Sequence, residues 1–177
     1  LRRVLGPEHV DVASMESVLA ARLHTPDQSA EEAEHTVDIL RRAMGEKHPR
    51  VAGALKRWGT VLLSQNQPER AIKAFEQALA ISREVLGDNN PDTLTCAADL
   101  SFVYSATGRS RDALEVMRGL LPAAAVVYGP DSDFRLDYLL ASGDQLHHDG
   151  DLEAALAEYR AALGIAERTV VYDWMRR

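Results

Sequence analysis

The residues best suited to chemistry are gathered in DQLHHDGD, positions 144–151. Asp144 and His148 stand four apart, so a helix would carry both on one face, with Asp149 and Asp151 in the adjacent turn. Imidazole nitrogens and carboxylate oxygens grouped this way could hold zinc or another transition ion. The same residue types are commonly recruited to solvate or cap helix ends, and Asp151 is placed to accept from the free N–H groups of a following helix. The stretch is therefore read as capping and solvation, with no metal assigned. Glu32 and His35 have the E-x-x-H spacing of di-iron bundles, but such a site needs a second motif and two further glutamates, and there is none. Cys96 falls where a small semi-buried residue is expected, a packed hydrophobe rather than a nucleophile. There is no phosphate-binding glycine loop, HExxH, G-x-S-x-G or CxxC. No catalytic residue and no cofactor are expected, and the chain is not read as an enzyme.

Bulk properties narrow the choice further. The 177 residues carry a net charge of −7 and a pI near 5.3. Nucleic acid and anionic membrane both reward a basic face, so neither is expected as a partner. A single cysteine allows no internal disulfide, which points to a reducing, cytoplasmic setting. No apolar run approaches the roughly 18 residues of a spanning helix. The chain opens on Leu1 without a signal peptide, and a piece of a longer protein is expected.

The elements that would position any site repeat along the chain. VLGPEHVDVA at 4–13, AMGEKHPRVA at 43–52, VLGDNNPDTL at 85–94 and VYGPDSDFRL at 127–136 are versions of one connector. Their glycines, Gly6, Gly45, Gly87 and Gly129, recur at near-equal intervals, the last two intervals being identical. Between connectors each unit holds two helical patterns around a short polar break. In the second unit these are VAGALKRWGTVLLS, QNQ and PERAIKAFEQALAISREVLG, with Leu55, Trp58 and Leu62, then Ala71, Phe75, Ala78 and Ile81, recurring at helical spacing. Gly87 can take the left-handed conformation that ends a helix, and Pro91 presets the first turn of the next while disfavouring helix at Asn90. A helix pair this small cannot bury its apolar faces alone, so pairs must stack. An all-α fold follows, an α-solenoid of antiparallel helix pairs. Its units run over about 7–45, 46–87, 88–129 and 130–171, with 1–6 as the tail of a preceding helix and 172–177 as an extension.

These residues resemble the tetratricopeptide repeat, in the 42-residue variety seen in kinesin light chains and many bacterial signalling proteins. The pattern of small residues at close crossings with a large one between is met by Trp58-Gly59, Leu62, Ala71, Phe75 and Ala78. It recurs in Leu100-Ser101, Tyr104, Ala113 and Met117, and in Leu139, Gly143, Leu146, Ala155, Tyr159 and Ala162. Three departures stand out. Ala33 lies about one helical turn nearer its glycine than Ala71 and Ala113 lie to theirs, so the second helix of the first unit is expected to be one turn short. An extra residue near HTPDQS leaves the first helix of that unit without a fixed phase. Gly119 and Pro122 fall inside the second helix of the third unit. Pro122 removes a backbone bond and crowds the Arg118 carbonyl, at about 3 kcal/mol, so a kink is expected there.

The resemblance implies that the α-solenoid is right-handed and that the first helix of each pair lines a concave groove that holds a peptide or partner domain. The groove positions are Lys56, Thr60 and Ser64, then Thr95, Ala98, Phe102 and Ser105, then Asp137, Leu140, Asp144 and His147, with His148 beside it. Ser17 or Arg22 joins according to the phase of the first unit. Phe102 is the candidate anchor, its alternative being packing against the neighbouring repeat. The carboxylate clamp of some relatives uses lysine, arginine and paired asparagines. Here Lys56 matches in type, Thr60 replaces an asparagine and a second is missing, so that function is not carried over, nor is the kinesin-type asparagine ladder. The expected function is a non-enzymatic protein–protein interaction module within a larger regulatory or scaffolding protein. The alternative is self-association, to a homo-oligomer, through the apolar ends LRRVLG and VVYDWMRR.

Overall fold

The computed structural model describes residues 26–175, with side chains from 30 to 169. The described residues form helices only: α1 (Pro26–Met44), α2 (Pro49–Ser64), α3 (Pro68–Leu86), α4 (Pro91–Ala106), α5 (Ser110–Tyr128), α6 (Asp133–His148) and α7 (Leu152–Met175). They fall into two compact units, the first ending at Gly87 and the second starting at Asp88. In the first, α1 packs on α2 and α2 on α3. In the second, each of α4 to α7 packs on its sequence neighbour. The opening connector, the LRRVLG segment, Ser17 and Arg22 lie outside the described residues, as do the side chains of Val170, Val171, Trp174 and Met175.

The connectors work as the residue types dictate, with one difference. Gly45, Gly87 and Gly129 all have positive φ, at 88°, 80° and 90°. At Gly87 and Gly129, however, ψ is 168° and 165°, not the left-handed helical value. The chain leaves the helix through a region that is essentially glycine's alone. Each connector then supplies an N-cap at the same register: His48, Asn90 and Ser132, one repeat apart. The His48 Nδ1 accepts from the Arg50 N–H at 3.1 Å and the Asn90 Oδ1 from the Asp92 N–H at 2.8 Å, with Pro49 and Pro91 at the first helical position, where a missing N–H costs nothing.

A second series of turns, inside each hairpin, has the same period. Asn66, Gly108 and Gly150 take φ of 58°, 78° and 87°. The N–H of the next residue reaches back into the helix just ended: Gln67 donates to the Leu62 carbonyl at 2.9 Å, Arg109 to Tyr104 at 2.8 Å and Asp151 to Leu146 at 2.9 Å. Tighter turns join Asn66 to Leu63, Gly108 to Ser105 and Gly150 to His147. This is the Schellman ending, which satisfies the carbonyls left over at a helix C-terminus. Asp151 then accepts from the Ala154 N–H at 3.1 Å and caps α7, as its position in the sequence suggests.

The core of each hairpin is a seam of leucine and valine with alanine at the crossings. Leu40, Leu55 and Leu62 in the first unit and Leu94, Leu100 and Leu120 in the second are essentially inaccessible to solvent, and so are Ala71, Ala113 and Ala155 at one repeated crossing. Burying one such leucine stabilises by roughly 1.5–3 kcal/mol.

One sequence expectation needs correction. The second helix of the first unit is not one turn short: α1, α3 and α5 each span 19 residues. Pro26 corresponds to Pro68, so Ala33 matches Phe75, not Ala71, and the residues missing from the first repeat fall between Gly6 and Pro26. Pro122 lies inside α5, which is continuous from Ser110 to Tyr128, so the proline does not end the helix. Pro122 and Arg118 both lie on the exposed face, where water can serve the carbonyl that the proline leaves unpaired.

Candidate interaction face

The first helices α4 and α6 of the second unit bring together most of the positions picked out from the sequence. Thr95, Phe102 and Ser105 are exposed on α4, and Asp137, Leu140, Asp144 and His147 lie on the accessible side of α6. Their spacings of three, four and seven put each set on one helical stripe, away from the buried Leu94, Leu100 and Leu139. Phe102 is 71% exposed and Leu140 43%. Phe102 thus keeps most of its surface accessible, whereas an aromatic packed into a core would lose it.

Two recesses flank these apolar side chains. One, of about 470 Å³, is lined by Thr95 of α4 and by Ser132, Asp133 and Asp137 at the start of α6. The other, of about 720 Å³, is lined by Ser105, Arg109, Arg111, Asp144, His148 and Asp149. Thr95 is thus matched with Asp137 at one end and Ser105 with Asp144 at the other. His147 lines neither, and its neighbour His148 lines the larger.

The acidic groups on this face differ in state. Asp144 accepts a 2.6 Å bond from the Tyr159 hydroxyl, which raises the phenol above its ordinary range because the bond stabilises the protonated form. Asp149 accepts from Gln145 at 3.0 Å and from Arg111 at 3.1 and 3.2 Å, and these bonds lower its carboxyl pKa. Asp137 moves the other way, its pKa raised by desolvation and then by the charge of Asp133. The carboxylates of DQLHHDGD are therefore engaged by Tyr159, Arg111, Gln145 and the α7 backbone. No three His, Cys, Asp or Glu side chains converge in a metal-ligating arrangement among the described residues. Glu32 is half-buried while His35 is exposed. Cys96 is a buried thiol, 2% exposed.

In the first unit, α2 carries Lys56, half-buried, with Thr60 and Ser64 exposed. Both hydroxyls donate back to their own helix, Thr60 to the Lys56 carbonyl at 3.0 Å and Ser64 to Val61 at 2.7 Å. Ser132, Asp133 and Tyr128 were not picked out from the sequence. The signal for Ser132 was its N-cap register with His48 and Asn90, legible only once the repeat phase is followed through every turn.

The model of the tetratricopeptide repeat matches residues 17–84 and 50–124. The chain belongs to the tetratricopeptide repeat family. Over 80 residues it is 32% identical to human "Tetratricopeptide repeat protein 19, mitochondrial", a match covering 45% of the chain and 21% of that protein. Over 77 residues it is 32% identical to Arabidopsis thaliana "Protein KINESIN LIGHT CHAIN-RELATED 3", covering 43% of the chain and 12% of that protein. The chain thus spans about a fifth or less of these curated relatives. Among solved structures, the nearly identical TPR-like repeats of a Podosopora anserina kinesin light chain superpose with a TM-score of 0.77 at 18% identity, over 94% of this chain and 81% of that one. MamA superposes with a TM-score of 0.68 at 17% identity, over 97% and 87%. The fold is thus the α-solenoid of this family, whose members are generally protein-interaction modules. No helix among the described residues is long and apolar enough to cross a membrane.

Proposed function

We propose that this chain is a non-enzymatic interaction module that docks a protein partner on the exposed faces of its first helices. The observation that carries this reading is the pair Phe102 and Leu140. Large apolar side chains left open to water on successive first helices, between two recesses, give a partner segment apolar area to bury and polar groups to orient it. A surface held by packed helices needs little ordering on binding, so less of the interaction is lost to entropy. Lys56, Thr60 and Ser64 form the corresponding face of the first unit. A reducing cytoplasmic setting and a place within a larger regulatory or scaffolding protein belong to the same proposal, supported by the buried thiol of Cys96 and by the small fraction of each curated relative that the chain spans.

The test is affinity capture with the intact chain, with Phe102→Ala and with Lys56→Glu, quantified by mass spectrometry. Partners recovered by the wild type should fall away with Phe102→Ala. Recovery unchanged by both substitutions contradicts docking on these faces.

A further inference from the structure

The recess between α4 and α6 has a composition that the preceding repeats lack. Asp133 and Asp137 stand four apart on α6 and both line it. No cation among the described residues pairs with either of them, and the charge that acts on Asp137 is that of Asp133. The matching positions one repeat upstream are Pro91 and Thr95, and two repeats upstream Pro49 and Gly53. Two like charges on one helical stripe destabilise each other, and desolvation adds to that cost at Asp137. An arriving cation relieves both.

Ser132 is an independent sign of a missing ligand. It is only 8% exposed, lines the same recess, and its Oγ has no hydrogen-bond partner among the described residues. His48 and Asn90, at the same place in the two preceding repeats, use their side chains to cap the following helix, whereas Ser132 makes no such bond. A buried hydroxyl without a partner is costly unless something fills the role. Around it, the Thr95 hydroxyl donates to the Pro91 carbonyl at 2.8 Å, which leaves its lone pairs free to accept, and the half-exposed Tyr128 lines the same recess. The Asp133 and Asp137 carboxylates only accept, and the Ser132 hydroxyl can accept as well as donate. Of the three carboxylates that line the recess, Asp131 is held by Arg168, and the two that are left are too few for calcium, which takes about 6–8 oxygen ligands, or for a dedicated transition-metal site. The recess volume of about 470 Å³ is ample for one long side chain.

We propose that this recess receives the ammonium or guanidinium group of a lysine or arginine in the partner, with Asp133 and Asp137 as counter-ions and the Ser132 Oγ accepting one N–H. An adjacent apolar residue of the same segment lies on Leu140 and Phe102. The inference rests on the first-helix face of the second unit being the docking face, and names the chemistry that the face selects.

The test is a titration of the ¹⁵N-labelled full chain, followed by amide NMR, with three capped tripeptides holding lysine, norleucine or glutamate between two leucines. The lysine peptide should move the amides of Thr95, Ser132 and Asp137 and bind at least about tenfold more tightly than the norleucine peptide, the worth of a charge-assisted contact. The double variant Asp133→Asn/Asp137→Asn should abolish that difference. Equal shifts at Phe102 and Leu140 from all three peptides, with a silent recess, would overturn the cation pocket and leave the docking face standing. Silence at both would overturn both. Recess shifts with calcium or magnesium chloride but not with the lysine peptide would make it a metal site and overturn the proposal.

Discussion

Phe75 lies so close over Gly59 that a Cβ built on the glycine would stand 2.7 Å from the ring Cε2. The same relationship recurs between Tyr159 and Gly143, where the added Cβ would meet Cε1 at 2.6 Å. In the repeat between them the pair is Met117 and Ser101, and there the serine donates its hydroxyl to the Ala113 carbonyl at 3.1 Å. A ring at the second position demands glycine at the first, and a flexible thioether releases that demand.

Alanine substitution at two glycines of one helix should therefore have opposite signs. Gly53 of α2 has nothing within 4 Å of its added Cβ, so Gly53→Ala should stabilise by about 0.5–1 kcal/mol through lost unfolded-state entropy. Gly59→Ala should destabilise by about 1–3 kcal/mol through overpacking. Adding Phe75→Met to Gly59→Ala should recover part of that loss, read as a non-additive coupling in urea denaturation. Equal effects at the two glycines would contradict the close crossing.

The connector of the second hairpin is tied to its closing helix by Lys47 and Glu84, and that of the last by Asp131 and Arg168 at 2.7 Å. Both partners sit at the same repeat positions, two repeats on, with the charges exchanged. Hydrogen bonding to Arg168 is the chief reason that the Asp131 carboxyl lies below its ordinary value. A lowered carboxyl contributes stability that is present above its unfolded pKa of about 3.9 and lost as pH falls through its folded pKa. Arg168→Gln should bring the Asp131 titration, followed by carboxyl NMR, back toward the ordinary value. Exchanging the pair, Asp131→Lys with Arg168→Glu, should leave thermal stability nearly unchanged, as expected of an exposed ion pair.

Tyr159 should titrate late. Its hydroxyl donates to Asp144, which raises the phenol pKa. The stabilising contribution is complete below the unfolded value of about 10 and is lost as pH rises through the folded value. Asp144→Asn should shift the tyrosinate absorbance transition assigned to Tyr159 downward. An unmoved transition would mean that the bond is not formed in solution.

The fold was legible wherever a single residue dictates the backbone. Glycine at 45, 87 and 129 and proline at 49 and 91 leave few alternatives, so the hairpin phase could be read directly. Asn66 hid the second series of turns, because it takes the left-handed conformation that Gly108 and Gly150 take without sharing their name in the sequence. Ala33 misled in the opposite sense: an alanine suits several crossing positions, and only the length of α1 shows that it stands where Phe75 stands. That Pro122 sits on the exposed face of a continuous α5 is a tertiary fact that its place in the sequence does not carry. The positions of Phe102 and Asp137 followed from helical phase, whereas the unpartnered Ser132 Oγ depends on how the surrounding side chains close around it, which no spacing encodes.

The docking claim is tested most directly by selecting peptides on the wild-type chain from a random display library and measuring them again on three variants by fluorescence anisotropy. Phe102→Asp and Leu140→Asp place charge on the proposed face, and Leu163→Asp places it on the exposed surface of α7. Affinity should fall at least about tenfold for the first two, the loss expected at an anchoring side chain, and stay within about twofold for Leu163→Asp, as expected for a surface change outside the contact. Peptides that bind Phe102→Asp and Leu140→Asp as tightly as wild type, but lose Leu163→Asp, would put the partner on the opposite face and contradict the assignment.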